Sequence, residues 1–318
     1  MKCRACRQAA VIDIRRHNAG FCAECFVRHV REQVARTIDS QRMIEPGERV
    51  LVAVSGGKDS LALWDVLAEL GYSVDGLYLG LGIGEYSDES GEHARAFASE
   101  RGLHLVEVDL PSDWGFDVPH GAAAARRAPC SACGLSKRHL FNKAALDGGY
   151  DVVATGHNLD DEAAVLFGNV MRWDLSYLGR QRPVLPETGG FARKVKPLVR
   201  LSERETAAYC VVRGIEYQIE ECPMSAGNKH LAYKEALNGI EERSPGTKAA
   251  FYGGFVDRVA DLVAPVAESE KEGLHPCPGC GAPTSAELCA FCKLLEKAGA
   301  RDVGGSSTAG ASAAGTRR

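Results

Sequence analysis

The chain lacks any apolar run approaching the about 20 residues that a membrane-spanning helix requires, which excludes an integral helical membrane protein. Its first ten residues, MKCRACRQAA, have no apolar core behind their basic residues, so neither a secretory signal nor a transit peptide is expected and the cytoplasm is the default location. It also lacks a basic excess. Thirty-eight Lys and Arg face 42 Asp and Glu for a net charge of -4, so the chain does not coat nucleic acid by charge alone, and any RNA site has to be local. What remains is average: 318 residues, 45% hydrophobic and 25% charged, roughly two domains' worth of chain with enough apolar material for a core that needs no disulfides. Twelve cysteines are the departure from that average. In a long chain without a secretory leader they point to metal or redox chemistry.

Eight of the twelve fall into two sets. Cys3, Cys6, Cys22 and Cys25 form C-x2-C-x15-C-x2-C, and Cys277, Cys280, Cys289 and Cys292 form C-x2-C-x8-C-x2-C. A CxxC turn presents two thiolates on one side of a tight loop and a second turn completes a tetrahedron, so each set is read as a zinc knuckle. Four-thiolate sites leave no open coordination position, which makes both zinc ions structural. Metal binding worth about 10–16 kcal/mol then holds segments too short to fold alone.

Between the knuckles, an alternation of elements predicts an α/β fold with a parallel sheet and helices on both faces. Strands are expected at 49–54, 74–79, 104–108 and 151–154, and helices at 60–70, 91–101, 135–146 and 159–171. Helical patterns follow at 202–213 and across 228–263, broken by Pro245, with a linker at 264–275. The expected organisation is a zinc knuckle at 1–30, a nucleotide-binding domain at 31–225, a helical extension at 226–263, the second knuckle at 264–300 and a disordered tail at 301–318.

Ser55-Gly56-Gly57-Lys58-Asp59-Ser60 follows an apolar strand and opens a helix, where unpaired backbone N–H groups and the helix dipole make an anion site. It is not a Walker A loop, because Val52 stands where the first Gly belongs and Asp59 follows the Lys where Ser or Thr belongs. The glycines let the backbone close on a pyrophosphate, Lys58 supplies counter-charge, Ser55 and Ser60 supply hydroxyls, and Asp59 is a candidate Mg²⁺ ligand. With Ala53 and Gly156 these are the candidate ATP contacts. The motif resembles the signature of the PP-loop ATP pyrophosphatases, which split ATP between its α and β phosphates.

Cys130 and Cys133 form a third CxxC with no second pair nearby; Cys222, in a loop after a strand-like 216–219 and before Pro223, is the candidate third thiolate. Cys210 lies inside a helical pattern and is read as a buried small hydrophobe. Three thiolates around a [4Fe-4S] cluster would leave one iron free of protein ligands. A persulfide-forming redox pair, a third zinc and an inert pair are the other readings of these residues.

The order of motifs, from N-terminal knuckle through SGGKDS, CxxC and distant Cys to C-terminal knuckle, resembles the tRNA 2-thiouridine synthetases of the TtuA type over residues 3–292. The resemblance implies a [4Fe-4S] cluster on Cys130, Cys133 and Cys222, a catalytic Asp161, a Lys137 that stabilises adenylation, and Gly156 along the nucleotide. It also implies a tRNA substrate, with T-loop position 54 and wobble position 34 both open as the thiolated uridine and 54 favoured, a ubiquitin-like thiocarboxylate as sulfur donor, and a homodimer. The related 2-thiocytidine enzymes lack flanking knuckles, which favours uridine.

In Thr155-Gly156-His157-Asn158-Leu159-Asp160-Asp161-Glu162 a second loop follows a strand at the edge where open α/β sheets bind ligands, so it is expected to face the first. Asp160 and Asp161 also suit helix capping, and His157 a loop hydrogen bond. Arg126, Arg127, Lys137, Arg138 and Lys143 form an acid-free stretch. With Arg193, Lys194, Lys196 and Arg200, and the arginines of the first knuckle, they make a candidate RNA surface. Two rivals stand beside tRNA thiolation: a PP-loop ligase or amidotransferase acting on a small carboxylate, and a non-catalytic zinc RNA-binding module.

Overall fold

The computed structural model describes residues 1–225, 229–269 and 272–300; the tail expected at 301–318 lies outside them. A short antiparallel hairpin, β1 (Ile12–Ile14) and β2 (Ala19–Phe21), carries the first knuckle into a long helix, α1 (Ala23–Gln41). The nucleotide domain then runs β3 (Arg49–Val54), α2 (Lys58–Glu69), β4 (Ser73–Gly80), α3 (Gly84–Arg101), β5 (Leu105–Asp109), α4 (Leu110–Trp114), α5 (Val118–Ala124), α6 (Pro129–Asp147), β6 (Val152–Thr155), α7 (Leu159–Arg172), α8 (Leu175–Gly179), β7 (Val184–Leu185), β8 (Arg193–Val195) and α9 (Glu203–Arg213). Three further helices, α10 (Lys229–Arg243), α11 (Thr247–Arg258) and α12 (Ala260–Ser269), lead to a second hairpin, β9 (His275–Pro276) with β10 (Pro283–Thr284), and to α13 (Ala290–Lys297).

The central sheet has the order β5-β4-β3-β6-β8-β7, parallel except for β7 at one edge. The β3 sequence RVLVAV is apolar at both alternating sets of positions because both faces of the sheet are covered. Val50, Val52 and Val54 join one core with Trp64 of α2, Val34 of α1 and Tyr209 of α9, whereas Leu51, with Val153 of β6, joins a second core under α6. Cys3, Cys22 and Cys25 belong to the first core and Cys277, Cys289 and Cys292 to the second, so the two knuckles pack on opposite faces of the sheet.

The four expected strands are present within a few residues, as are the helices expected at 60–70 and 159–171; the helix expected at 91–101 starts earlier, at Gly84, and the edge strands β7 and β8 were not expected. Three further readings differ. The helix expected from 135 begins at Pro129, since proline suits the first helical turn where its missing N–H costs nothing. Residues 216–219 form no strand: Gln218 donates its backbone N–H to the Gly56 carbonyl at 3.0 Å, and so meets the nucleotide loop instead of a sheet edge. The expected linker from 264 is helical as far as Ser269, because Ala260, Ala264 and Ala267 are buried along one face of α12, which packs against α8.

Candidate active site

The loop at 55–60 is built by its own serines. Ser60 Oγ donates to the Gly57 carbonyl at 2.9 Å and accepts the Ser55 N–H at 3.1 Å, which folds the turn over the first residues of α2. Gly57 is the N-cap and no side chain caps the helix, which leaves its first N–H groups open to an anion. Gly56 has φ +73°, and a Cβ there would stand 2.2 Å from the Ser90 carbonyl oxygen of α3. Only glycine meets both demands.

Two acids hold Lys58. Its Nζ lies 2.7 Å from Glu203 Oε1 at the start of α9 and 3.1 Å from Asp59 Oδ2. Burial pulls the Lys58 pKa down, but Asp59 and Glu203 outweigh it and hold the ammonium above its ordinary value. Asp59 is fixed from its other side by Asn158 Nδ2 at 3.1 Å and by the Thr206 hydroxyl. Burial raises the Asp59 pKa, with Lys58 opposing only in part.

The second loop faces the first, as expected. A Cβ on Gly156 would sit 2.9 Å from the backbone of Asp59 and Ser60, so the two loops touch main chain to main chain. Asn158 caps α7 and forms a capping box with Asp161, whose Oδ2 accepts the Asn158 N–H at 3.2 Å. The other Asp161 oxygen lies 2.6 Å from Lys234 Nζ on α10, and Lys234 also reaches Glu203 Oε2 at 3.1 Å. Asp161 therefore both caps its helix and belongs to the charged cluster. Asp160 instead accepts the Glu203 N–H at 2.9 Å and pairs with Lys248, a structural role that ties α9 and α11 to the loop. His157 hydrogen-bonds Thr155 at 3.1 Å, as a loop residue.

A cleft opens beside this cluster between β3, β4, α3 and α6. Ala53 and Ser55 line it together with Tyr78, Tyr86, Ser90 and Lys137. Cys130 and Cys133 lie in the first turn of α6, one turn before Lys137, and their i, i+3 spacing places them on one helix face. The Cys130 thiol donates to the Met224 carbonyl at 3.5 Å, and the short helical turn 223–225 packs on α6, which brings Cys222 to the CxxC. Burial holds the Cys133 thiol above its ordinary pKa; Lys137 opposes this, while Cys222 and Cys130 add to it. The partly buried ring of Tyr86 feels both Cys222 and Cys133. The three thiols thus gather beside Tyr86 and Lys137, two residues of the cleft wall.

The three central thiols differ from the knuckles in spacing. The sulfurs of each knuckle lie within 4.8 Å of one another, with Cys6–Cys22 at 3.4 Å, Cys277–Cys292 at 3.8 Å and Cys280–Cys289 at 3.6 Å. Zn–S bonds of about 2.3 Å place tetrahedral thiolates about 3.8 Å apart, so both tetrads fit one Zn²⁺ each. Among the described residues Cys130, Cys133 and Cys222 belong to no such tetrad, and three thiols without a fourth suit a [4Fe-4S] group better than a closed zinc site. Cys210 is fully buried, and its thiol donates to the Lys58 carbonyl at 3.3 Å. It supports the loop and belongs to none of the three cysteine sets.

Glu203, Thr206, Lys234 and Gln218 were invisible as site residues in the sequence. Only Asn158, at the cap position after a strand, carried a local signal.

A parallel sheet with an SGGKDS turn, a second acid-bearing loop against it and an uncapped helix N-terminus defines a PP-loop nucleotide-binding enzyme. Residues 27–226 match the model of the PP-loop domain, and residues 2–27 match that of the 2-thiouridine synthetase TtuA N-terminal LIM domain. The chain is 51% identical over 296 residues to the tRNA-5-methyluridine(54) 2-sulfurtransferase of Thermus thermophilus, covering 93% of this chain and 91% of that protein. It is 42% identical to the enzyme of the same name from Pyrococcus horikoshii, covering 92% and 93%. Its fold is that of the U34-tRNA thiolase NcsA from Methanococcus maripaludis, solved with its [4Fe-4S] cluster, at a TM-score of 0.77, 24% identity and coverage of 93% and 96%. The chain belongs to the TtuA-type 2-thiouridine synthetases of the PP-loop family.

Proposed function

We propose that the protein is an ATP-dependent tRNA 2-sulfurtransferase that converts the uridine at T-loop position 54 to 2-thiouridine. The supporting observation is that Ser55 of the loop, Tyr86 and Lys137 line one cleft, with Cys130 and Cys133 just before Lys137 on α6 and with Cys133 and Cys222 near Tyr86. The three relatives named for position 54, at 38–51% identity, favour it over the wobble position. A ligase or amidotransferase would have no use for the thiols, and a non-catalytic module none for the loop.

ATP lies over residues 55–60, with Ala53 and Gly156 along the nucleotide and Mg²⁺ on Asp59. The N–H groups of α2 and Lys58 face the β and γ phosphates. The uridine O2 attacks the α-phosphate, pyrophosphate leaves, and the base is activated at C2. Lys137 stabilises the charge that builds on the α-phosphate, an electrostatic task that needs no proton transfer. Asp161 positions Lys234 and the second loop against the first. Sulfide then attacks C2, and AMP departs with the original oxygen. Cys130, Cys133 and Cys222 would hold a [4Fe-4S] cluster, which would supply iron able to take up incoming sulfur. Sulfide derives from a ubiquitin-like thiocarboxylate, each knuckle binds one structural zinc, and the protein acts as a cytoplasmic homodimer.

The test is anaerobic purification with metal counting, followed by thiolation assays with ATP and sulfide. Cys222→Ala should lose iron and thiolation while keeping two zinc per chain; retained thiolation would reject the three-thiolate reading. Lys58→Ala should abolish AMP formation.

A further inference from the structure

Most cations near the site are paired. Lys58, Lys196, Lys234 and Lys248 each have a carboxylate within salt-bridge distance. Lys194 and Arg138 do not: among the described residues no acid lies within salt-bridge reach of either, and neither makes a side-chain hydrogen bond. Lys194 sits on β8 in register with Val153 of β6, a residue of the core beneath α6, so its side chain is on the α6 face of the sheet. It is half-buried there, on the face of the sheet that α6 covers, and α6 carries the exposed Arg138. Burial pushes its pKa down to about 8, and Arg138 acts in the same direction. Arg138 folds back along its helix, close enough that a Cβ on Gly134 would meet its Nη1 at 3.0 Å, and its charge is felt at Cys133.

Lys194 is half-buried and Arg138 is exposed, two like charges on one face with no acid paired to either among the described residues, an arrangement that an anion would stabilise. We propose that Lys194 and Arg138 bind one backbone phosphate of the substrate tRNA beside the central cysteines, a reading that rests on tRNA being the substrate. A phosphodiester is a permanent anion, its two free oxygens match the guanidinium fork, and a lysine can approach the same group as a point charge. Arg126 and Arg127, exposed and also without an acidic partner among the described residues, lie just before Cys130 in the chain and add to the positive charge beside the CxxC that an RNA backbone requires. A single carboxylate from a protein would satisfy the pair but would leave that continuation unexplained.

The experiment measures tRNA binding to the iron-loaded protein by fluorescence anisotropy across a salt series, for wild type, Lys194→Gln, Lys194→Arg and Arg138→Gln. Lys194→Gln should weaken binding by about tenfold and lower the slope of log K against log salt by roughly 0.7–0.9, the signature of one lost phosphate contact. Lys194→Arg should stay near wild type, and Arg138→Gln should show the same slope change. ATP affinity and iron content should be unchanged in Lys194→Gln. Wild-type affinity and slope in both glutamine variants would overturn the site. So would normal tRNA binding with thiolation lost only when a protein thiocarboxylate replaces inorganic sulfide, because the anion would then belong to the donor. If the wild-type protein binds no tRNA, the substrate reading fails instead. If Lys194→Gln does not fold, Lys194→Arg and Arg138→Gln carry the comparison.

Discussion

Lys58 Nζ lies 2.7 Å from Glu203 Oε1, across 145 residues of chain, so the loop lysine is neutralised from a helix outside the motif. Glu203 is in turn held by Lys234, and although burial acts to raise its pKa, Lys58 and Lys234 outweigh that and keep it below the ordinary carboxylate value. ATP therefore competes with Glu203 for Lys58. Replacing Glu203 by Gln should tighten ATP binding roughly threefold, since a partly exposed ion pair is worth about 0.2–1 kcal/mol. Calorimetric titration with ATP and Mg²⁺ checks it; weaker binding would place Glu203 among the Mg²⁺ ligands.

Adjacent glycines in the loop should respond differently to alanine. At Gly56 the backbone is left-handed and a Cβ would collide with the Ser90 carbonyl, so Gly56→Ala should cost about 1–3 kcal/mol in local strain and abolish ATP binding. At Gly57 the nearest obstacle is Ser55 Oγ at 3.5 Å, an ordinary contact, and Gly57→Ala should fold normally. Thermal unfolding with and without ATP separates the two.

His139 stacks on Phe291 at 4.0 Å between ring centroids, joining α6 to the second knuckle. Its Nε2 is buried without a partner among the described residues, and burial lowers its pKa to about 4, with Lys143 contributing. The unfolded chain protonates this ring near pH 6.5 and the folded one only near 4, so the unfolded state binds the extra proton between those values. Stability should be whole above pH 6.5 and fall by roughly 3 kcal/mol as pH drops to 4. His139→Phe should keep the stack and remove that part of the acid sensitivity, measured by urea unfolding at pH 7 and pH 5.

The sites legible in the sequence were those built from neighbours in the chain. The loop at 55–60, the second loop at 155–162 and both cysteine tetrads depend on turns, caps and spacings within a few residues, and each forms where its motif lies. The CxxC at 130–133 was visible as a pair, but its place inside a helix was missed, because Pro129 resembles a break until it is seen as a first-turn residue.

Sequence by itself determined the sheet, the anion-binding turn and the thiol sets, since apolar periodicity and covalent spacing are local quantities. Tertiary structure alone decided which charges meet. Glu203, Thr206 and Lys234 are single residues on ordinary amphipathic helices, and Lys194 is one polar position on a short strand. Electrostatic partnership depends on distance in space and on exclusion of water, and neither is set until α6, α9 and α10 have packed around the sheet.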